Sequence, residues 1–167
     1  MTDPRCTVIG LGSPLMGDDG VGLVALERLR REFDLPPQVE LIDGGTWGMS
    51  LLPVIEDAER LLFLDAINTG AAPGTVITLR RDEIPRYLAM KVSPHQVDLA
   101  DVLAVAELRG TLPKETIAVG LQPERVEMSV GLSPTLEHGL DGLLATAVRQ
   151  LEAWGASCRP RPEAICA

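Results

Sequence analysis

Apolar positions recur along this chain in two rhythms. Short, nearly unbroken apolar runs at residues 6–10, 39–42, 60–64, 75–79 and 116–121 predict five strands. Between them the spacing changes to i, i+3, i+4, i+7, the period of a helix with one buried face. From Gly20 the face is Val21, Val24, Leu26 and Leu29, with charged residues around it. A short helix is predicted over residues 48–57. Ser93-Pro94-His95-Gln96 is a capping box that opens another helix, with Leu99, Val102, Leu103 and Ala106 facing inward. Ser133-Pro134 opens the last, whose buried stripe is Leu136, Leu140, Leu143, Leu144, Ala147 and Leu151.

The order β-α-β-α-β-β-α-β-α predicts an α/β three-layer sandwich: a mixed, mostly parallel five-stranded sheet flanked by helices. Only residues 65–74 separate the third and fourth strands. A parallel crossover needs about a dozen residues or more, so strand four is expected to be antiparallel. Residues 1–155 read as a single domain. Residues 156–167 contain two Arg-Pro pairs and no periodicity, and are expected to form a flexible C-terminal tail.

Composition then narrows the chemistry. The 167 residues carry 24 acids against 15 Lys plus Arg, a net charge of −9, which argues against nucleic acid and anionic membranes as partners. Only five residues are aromatic (two Trp, one Tyr, two Phe), so the core must be aliphatic, as a buried parallel sheet requires. No signal-peptide pattern and no membrane-length apolar run occur, and the three cysteines lack metal-ligand spacing. A cytoplasmic location is the expectation. With two histidines, His95 and His138, a site built wholly of imidazoles is excluded and carboxylates must dominate.

In open α/β sheets, ligands bind beyond the carboxyl ends of the parallel strands. The first strand leads to Asp18 and Asp19, the second to Asp43, the third to Asp65. With strand four antiparallel, His95 opens its helix at the same edge, where the helix dipole favours the uncharged, ligating imidazole. Each residue also has a plain structural reading. Asp18 or Asp19 would cap the helix, Asp43 would sit in a turn, and Asp65 would be a hydrogen-bonded strand-end acid. His138, mid-helix beside Glu137, reads as a surface or packing residue.

The Gly-rich loop 10–22 fits neither phosphate motif. Leu15 stands where a dinucleotide fingerprint needs Gly, and Asp18-Asp19 stand where a P-loop needs Lys and a hydroxyl. Two acids there favour a cation or a positively charged peptide. No nucleophile elbow, no cysteine with a His partner and no His-Glu-x-x-His motif occur.

These segments together resemble the HybD/HupD-type maturation endopeptidases of NiFe-hydrogenases. The matching motifs are Gly-Leu-Gly-Ser-Pro-Leu-Met-Gly-Asp-Asp-Gly-Val-Gly (10–22), Asp-Gly-Gly-Thr-Trp-Gly (43–48), Leu-Asp-Ala (64–66), Pro-Gly-Thr (73–75), Ser-Pro-His-Gln-Val-Asp-Leu-Ala-Asp-Val-Leu (93–103) and Gly-Leu-Ser-Pro-Thr (131–135). The resemblance spans roughly residues 6–155. It implies a cytoplasmic protease that removes a C-terminal extension from the hydrogenase large-subunit precursor once nickel is inserted. It implies that Asp19, Asp65 and His95 are the metal-binding and catalytic residues, and that Asp43, Gly44 and Gly45 serve substrate recognition. The nickel would be supplied by the substrate rather than bound permanently. Ser13 stands where many members have Asn, Asp19 where some have Glu, and Asp98 where several have Gly. A non-proteolytic nickel-sensing chaperone for the same precursor is the alternative class.

Overall fold

The computed structural model describes residues 4–89 and 94–162, the side chains of 89 and 94–98 excepted. Strand β1 (Cys6–Leu11) is buried along its whole length, as a central parallel strand must be. A 3-10 turn (Gly17–Gly20) leads into helix α1 (Val21–Glu32). The two-residue strand β2 (Phe33–Asp34) follows, then β3 (Val39–Gly45), helix α2 (Leu52–Asp57) and β4 (Arg60–Ala66). After β5 (Val76–Arg80) come helices α3 (Ile84–Ala89) and α4 (Pro94–Leu108), strand β6 (Glu115–Leu121), helix α5 (Pro134–Ala153) and the two-residue strand β7 (Arg159–Pro160).

The main sheet has the order β3-β1-β4-β6-β5. The first four strands are mutually parallel, and β5 runs antiparallel to β6, as the short link before it requires. The pleat then divides the core. Val8, Leu62, Leu64 and Val119 face α1 and α5, against Leu26, Leu29, Leu140, Leu143 and Leu151. Ile9, Leu11, Leu61, Phe63 and Ala118 face α2, α3 and α4, against Ile55, Leu88, Leu99 and Val102. Each fully buried leucine contributes about 1.5–3 kcal/mol relative to exposure, so both faces are held mainly by aliphatic burial.

Three departures from the sequence pattern stand out. The flexible tail expected from residue 156 is corrected as far as Pro160. Ala156 and Cys158 are buried, β7 pairs antiparallel with β2, and the Arg161 N–H donates to the Glu32 carbonyl. Apolar side chains without periodicity still pack when they close the end of a core. Next, a further helix, α3, stands between β5 and α4, where the apolar pattern predicts no element. Finally, the second strand continues through Asp43 and Gly44 to Gly45 rather than ending at Ile42. The capping-box Ser93 lies outside the described residues; α4 does begin at Pro94. His138 is exposed on α5.

Candidate functional site

Close backbone packing builds the rim. Gly12 has φ +114°, and a Cβ there would lie 1.9 Å from the Asp19 carbonyl oxygen, so only glycine lets the turn fold back over the end of β1. The Ser13 N–H then donates to Asp19 Oδ2 at 2.9 Å. A Cβ on Gly22 would lie 2.1 Å from the Leu64 carbonyl oxygen, so α1 starts directly against the end of β4. The glycines of the first motif thereby bring the turn bearing Asp19 to the strand that bears Asp65.

Asp65 lies in the register row Asp65–Gly120, one residue past the pairing of Gly10 with Leu64. Its place on β4 follows Leu61 and Phe63 by the period of two, which sets it on the α3–α4 side of the sheet. There it lines a small cavity of about 20 Å³ with Leu11, Tyr87 and Leu99. One Asp65 oxygen accepts from the Ala66 N–H at 2.8 Å. Asp19 and Asp65 are only 6% and 5% exposed, a costly setting for carboxylates unless they bind or bond to something. Beside the cavity, the Tyr87 hydroxyl accepts from the Asn68 N–H at 2.9 Å, and Gln122 bridges Asn68 and the Thr69 N–H. Nothing in the sequence marks this polar cluster.

His95 is in the first turn of α4, one turn ahead of the cavity-lining Leu99. Its side chain lies outside the described residues. Asp43 is exposed on the edge strand β3, paired with Gly10. Gly44 is needed for packing, since a Cβ would lie 2.6 Å from the Ile9 methyl. The Gly45 carbonyl accepts from the Gly12 N–H, tying the second motif to the first. The fold therefore places Asp19, Asp43, Asp65 and the start of α4 at one end of the sheet.

Asp18 departs furthest from its sequence readings. It neither caps α1 nor is solvated: it is fully buried. Its oxygens accept from the backbone N–H groups of Glu124, Arg125 and Ser133 and from the Ser133 hydroxyl, at 2.7–2.9 Å. Burial pushes its carboxyl up, but the bonds from Ser133, Arg125 and Glu124 outweigh burial and hold it below the ordinary value. Asp18 is thus a latch between the first loop and the loop after β6.

Thiol chemistry is absent from this rim among the described residues. Burial pushes the Cys158 thiol up to about 11 and raises Cys6 as well, so neither is a thiolate near neutrality. Among the described residues no group of three metal-ligating side chains occurs, and no helix is long and apolar enough to cross a membrane.

Known proteins share this sequence pattern and fold. The hydrogenase maturation protease family model matches residues 24–150. The hydrogenase expression/formation protein HupD of Rhodobacter capsulatus is 42% identical over 153 residues, covering 90% of this chain and 73% of that one. The hydrogenase 2 maturation protease of Escherichia coli is 40% identical over 162 residues, covering 96% and 98%. Among solved structures, the hydrogenase maturating endopeptidase HybD from E. coli superposes with a TM-score of 0.91 at 38% identity, covering 95% of this chain and 99% of that one.

Proposed function

This chain belongs to the hydrogenase maturation protease family, and on that footing we propose that it cleaves the C-terminal extension from the nickel-loaded large-subunit precursor of a NiFe-hydrogenase. The carrying observation is the pair of nearly buried carboxylates, Asp19 in the 3-10 turn that follows β1 and Asp65 near the end of the adjacent parallel strand β4. Relatives named as proteases favour hydrolysis over a non-proteolytic chaperone.

Nickel enters this reading as part of the substrate. Two carboxylates and one imidazole, Asp19, Asp65 and His95, offer hard oxygen and borderline nitrogen donors to a divalent ion and leave positions for ligands from the precursor. Nickel then bridges protease and precursor, and a precursor without it loses that bridge. The exposed Asp43, with Gly44 and Gly45 shaping the strand behind it, serves recognition at the same rim. Hydrolysis adds one water across the scissile peptide bond: oxygen joins the carbonyl carbon, the C–N bond breaks, and a rim carboxylate relays the proton to the departing amine. The cytoplasm, where a nickel-loaded precursor is at hand, is the proposed location.

The test is incubation of the chain with nickel-loaded and nickel-free precursor, read by intact mass. A shortened product from the loaded form alone is expected. Equal trimming of both forms removes nickel from the reading.

A further inference from the structure

We infer that the three loops around Asp19 carry an apolar strip that docks an extended, basic-flanked segment of the precursor polypeptide; this rests on the proposed function and deepens it. Seven large apolar side chains are exposed among the described residues. Six of them, Leu15, Trp47, Met49, Val126, Met128 and Val130, sit on the loops following β1, β3 and β6. The seventh, Leu108, is at the opposite end of α4. Exposed apolar residues scattered singly are ordinary, but a set confined to the loops of one rim marks an interaction surface.

The strip has a fixed geometry. The Ser129 N–H donates to the Leu15 carbonyl and the Gly17 N–H to the Ser129 carbonyl, a parallel bridge that pairs Met16 with Ser129. Ser129 turns inward to Gly17, while its neighbours Met128 and Val130 are 88% and 87% exposed, beside Leu15 at 62%. The Gly12 N–H bond to the Gly45 carbonyl joins the loop bearing Trp47 and Met49 to the same assembly. Asp18 pins the ribbon from below through its bonds to Glu124, Arg125 and Ser133. These apolar groups are therefore presented on backbone already ordered, which reduces the entropy a partner must offset. The next residue after the latch is Asp19, so a segment seated on the strip leads directly to the carboxylate rim.

Charge selects the occupant. The rim exposes Asp43 at the end of β3 and Glu124 and Glu127 on the loop after β6, with the nearly buried Asp19 beside them, against one base, Arg125, which itself pairs with Glu127 at 3.8 Å. A segment that sets apolar side chains beside Lys or Arg complements this surface, and an acidic one is repelled.

Two paired variants test the strip: Met128→Glu with Val130→Glu, and Met128→Lys with Val130→Lys. Both change exposed side chains, so the thermal midpoint should stay near that of the parent. With purified nickel-loaded precursor, KM should rise about tenfold or more for the Glu pair and further for the Lys pair, with kcat within about twofold. A KM equal to the parent's in both pairs overturns the inference. If the parent leaves the precursor uncut, the proteolytic reading fails separately, and precursor affinity measured by interferometry reads the strip: equal affinity of parent and variants overturns it. Parent dimers abolished by the Lys pair without a change in KM would assign the strip to a second copy and also overturn it.

Discussion

The two faces of the sheet solve different problems. On one, α1 and the 20-residue α5 cover the strands with leucines, and Arg28 bridges the two helices by pairing with Glu32 and Asp141. On the other, α2 and α3 are six residues each. That face keeps the small cavity at Asp65 and an apolar groove of about 780 Å³ between α3 and α4. One face is sealed scaffold, and the other leaves room beside a carboxylate. Asp18 and Asp19 repeat the contrast at single-residue scale. One acid is consumed by four internal hydrogen bonds, and its neighbour stands at the rim.

The sharpest break of this comparison is chemical. Asp65→Asn and Asp19→Asn should each lower the trimming rate by about 10²–10⁴-fold, the range for losing an acid–base or ligating group. Their thermal midpoints should move little, which calorimetry checks beside the activity assay. His95→Ala should match them in activity.

Asp18→Ala should do the reverse, damaging stability first. It leaves three backbone donors and a hydroxyl without their acceptor, at about 1–3 kcal/mol for each that stays dry, so a loss of about 3 kcal/mol or more is expected in urea unfolding. If it unfolds like the parent yet fails to trim, the latch reading is wrong and Asp18 belongs to the chemistry.

Core truncations sharpen the contrast between faces. Leu143→Ala on the sealed face should cost about 3 kcal/mol or more, because nothing there can collapse into the gap. Leu99→Ala, beside the existing cavity, should fall nearer about 2 kcal/mol and disturb trimming more than stability. Equal costs would mean the two faces are packed alike.

The smallest effect is on pH. The Asp18 carboxyl is held below its ordinary value in the fold, so its contribution is fully present above the unfolded value of about 3.9 and is lost as pH falls through the folded value. The stability margin of the parent over Asp18→Asn should therefore be flat from about pH 7 to about 5 and shrink below about 4. A margin that grows on acidification contradicts the hydrogen-bonded, ionised latch.

What can be read from the sequence follows the range of the interactions. Apolar periodicity marks the five strands of the main sheet and the principal helices, and the shortness of the link before β5 fixes its direction. Asp65 is legible because an acid ending the buried run Leu-Leu-Phe-Leu is costly unless it is bonded or binds something. The short α3 escapes the pattern because six residues containing Pro85 make no helical signature. The β2–β7 pair escapes it because two-residue strands have no period. Asp18 is ambiguous in sequence because its partners lie 106 to 115 residues away, where no local rule reaches. The glycines are the intermediate case. Their clustering marks a tight loop, but which contact each one permits, such as Gly12 under Asp19, emerges only in three dimensions.

The most direct measurement is the intact mass of a nickel-loaded large-subunit precursor after incubation with the parent chain and with Asp65→Asn. The account predicts a single shortened product with the parent and an unchanged mass with the folded variant. Full-rate trimming by Asp65→Asn, or an uncut precursor with the parent, would contradict it.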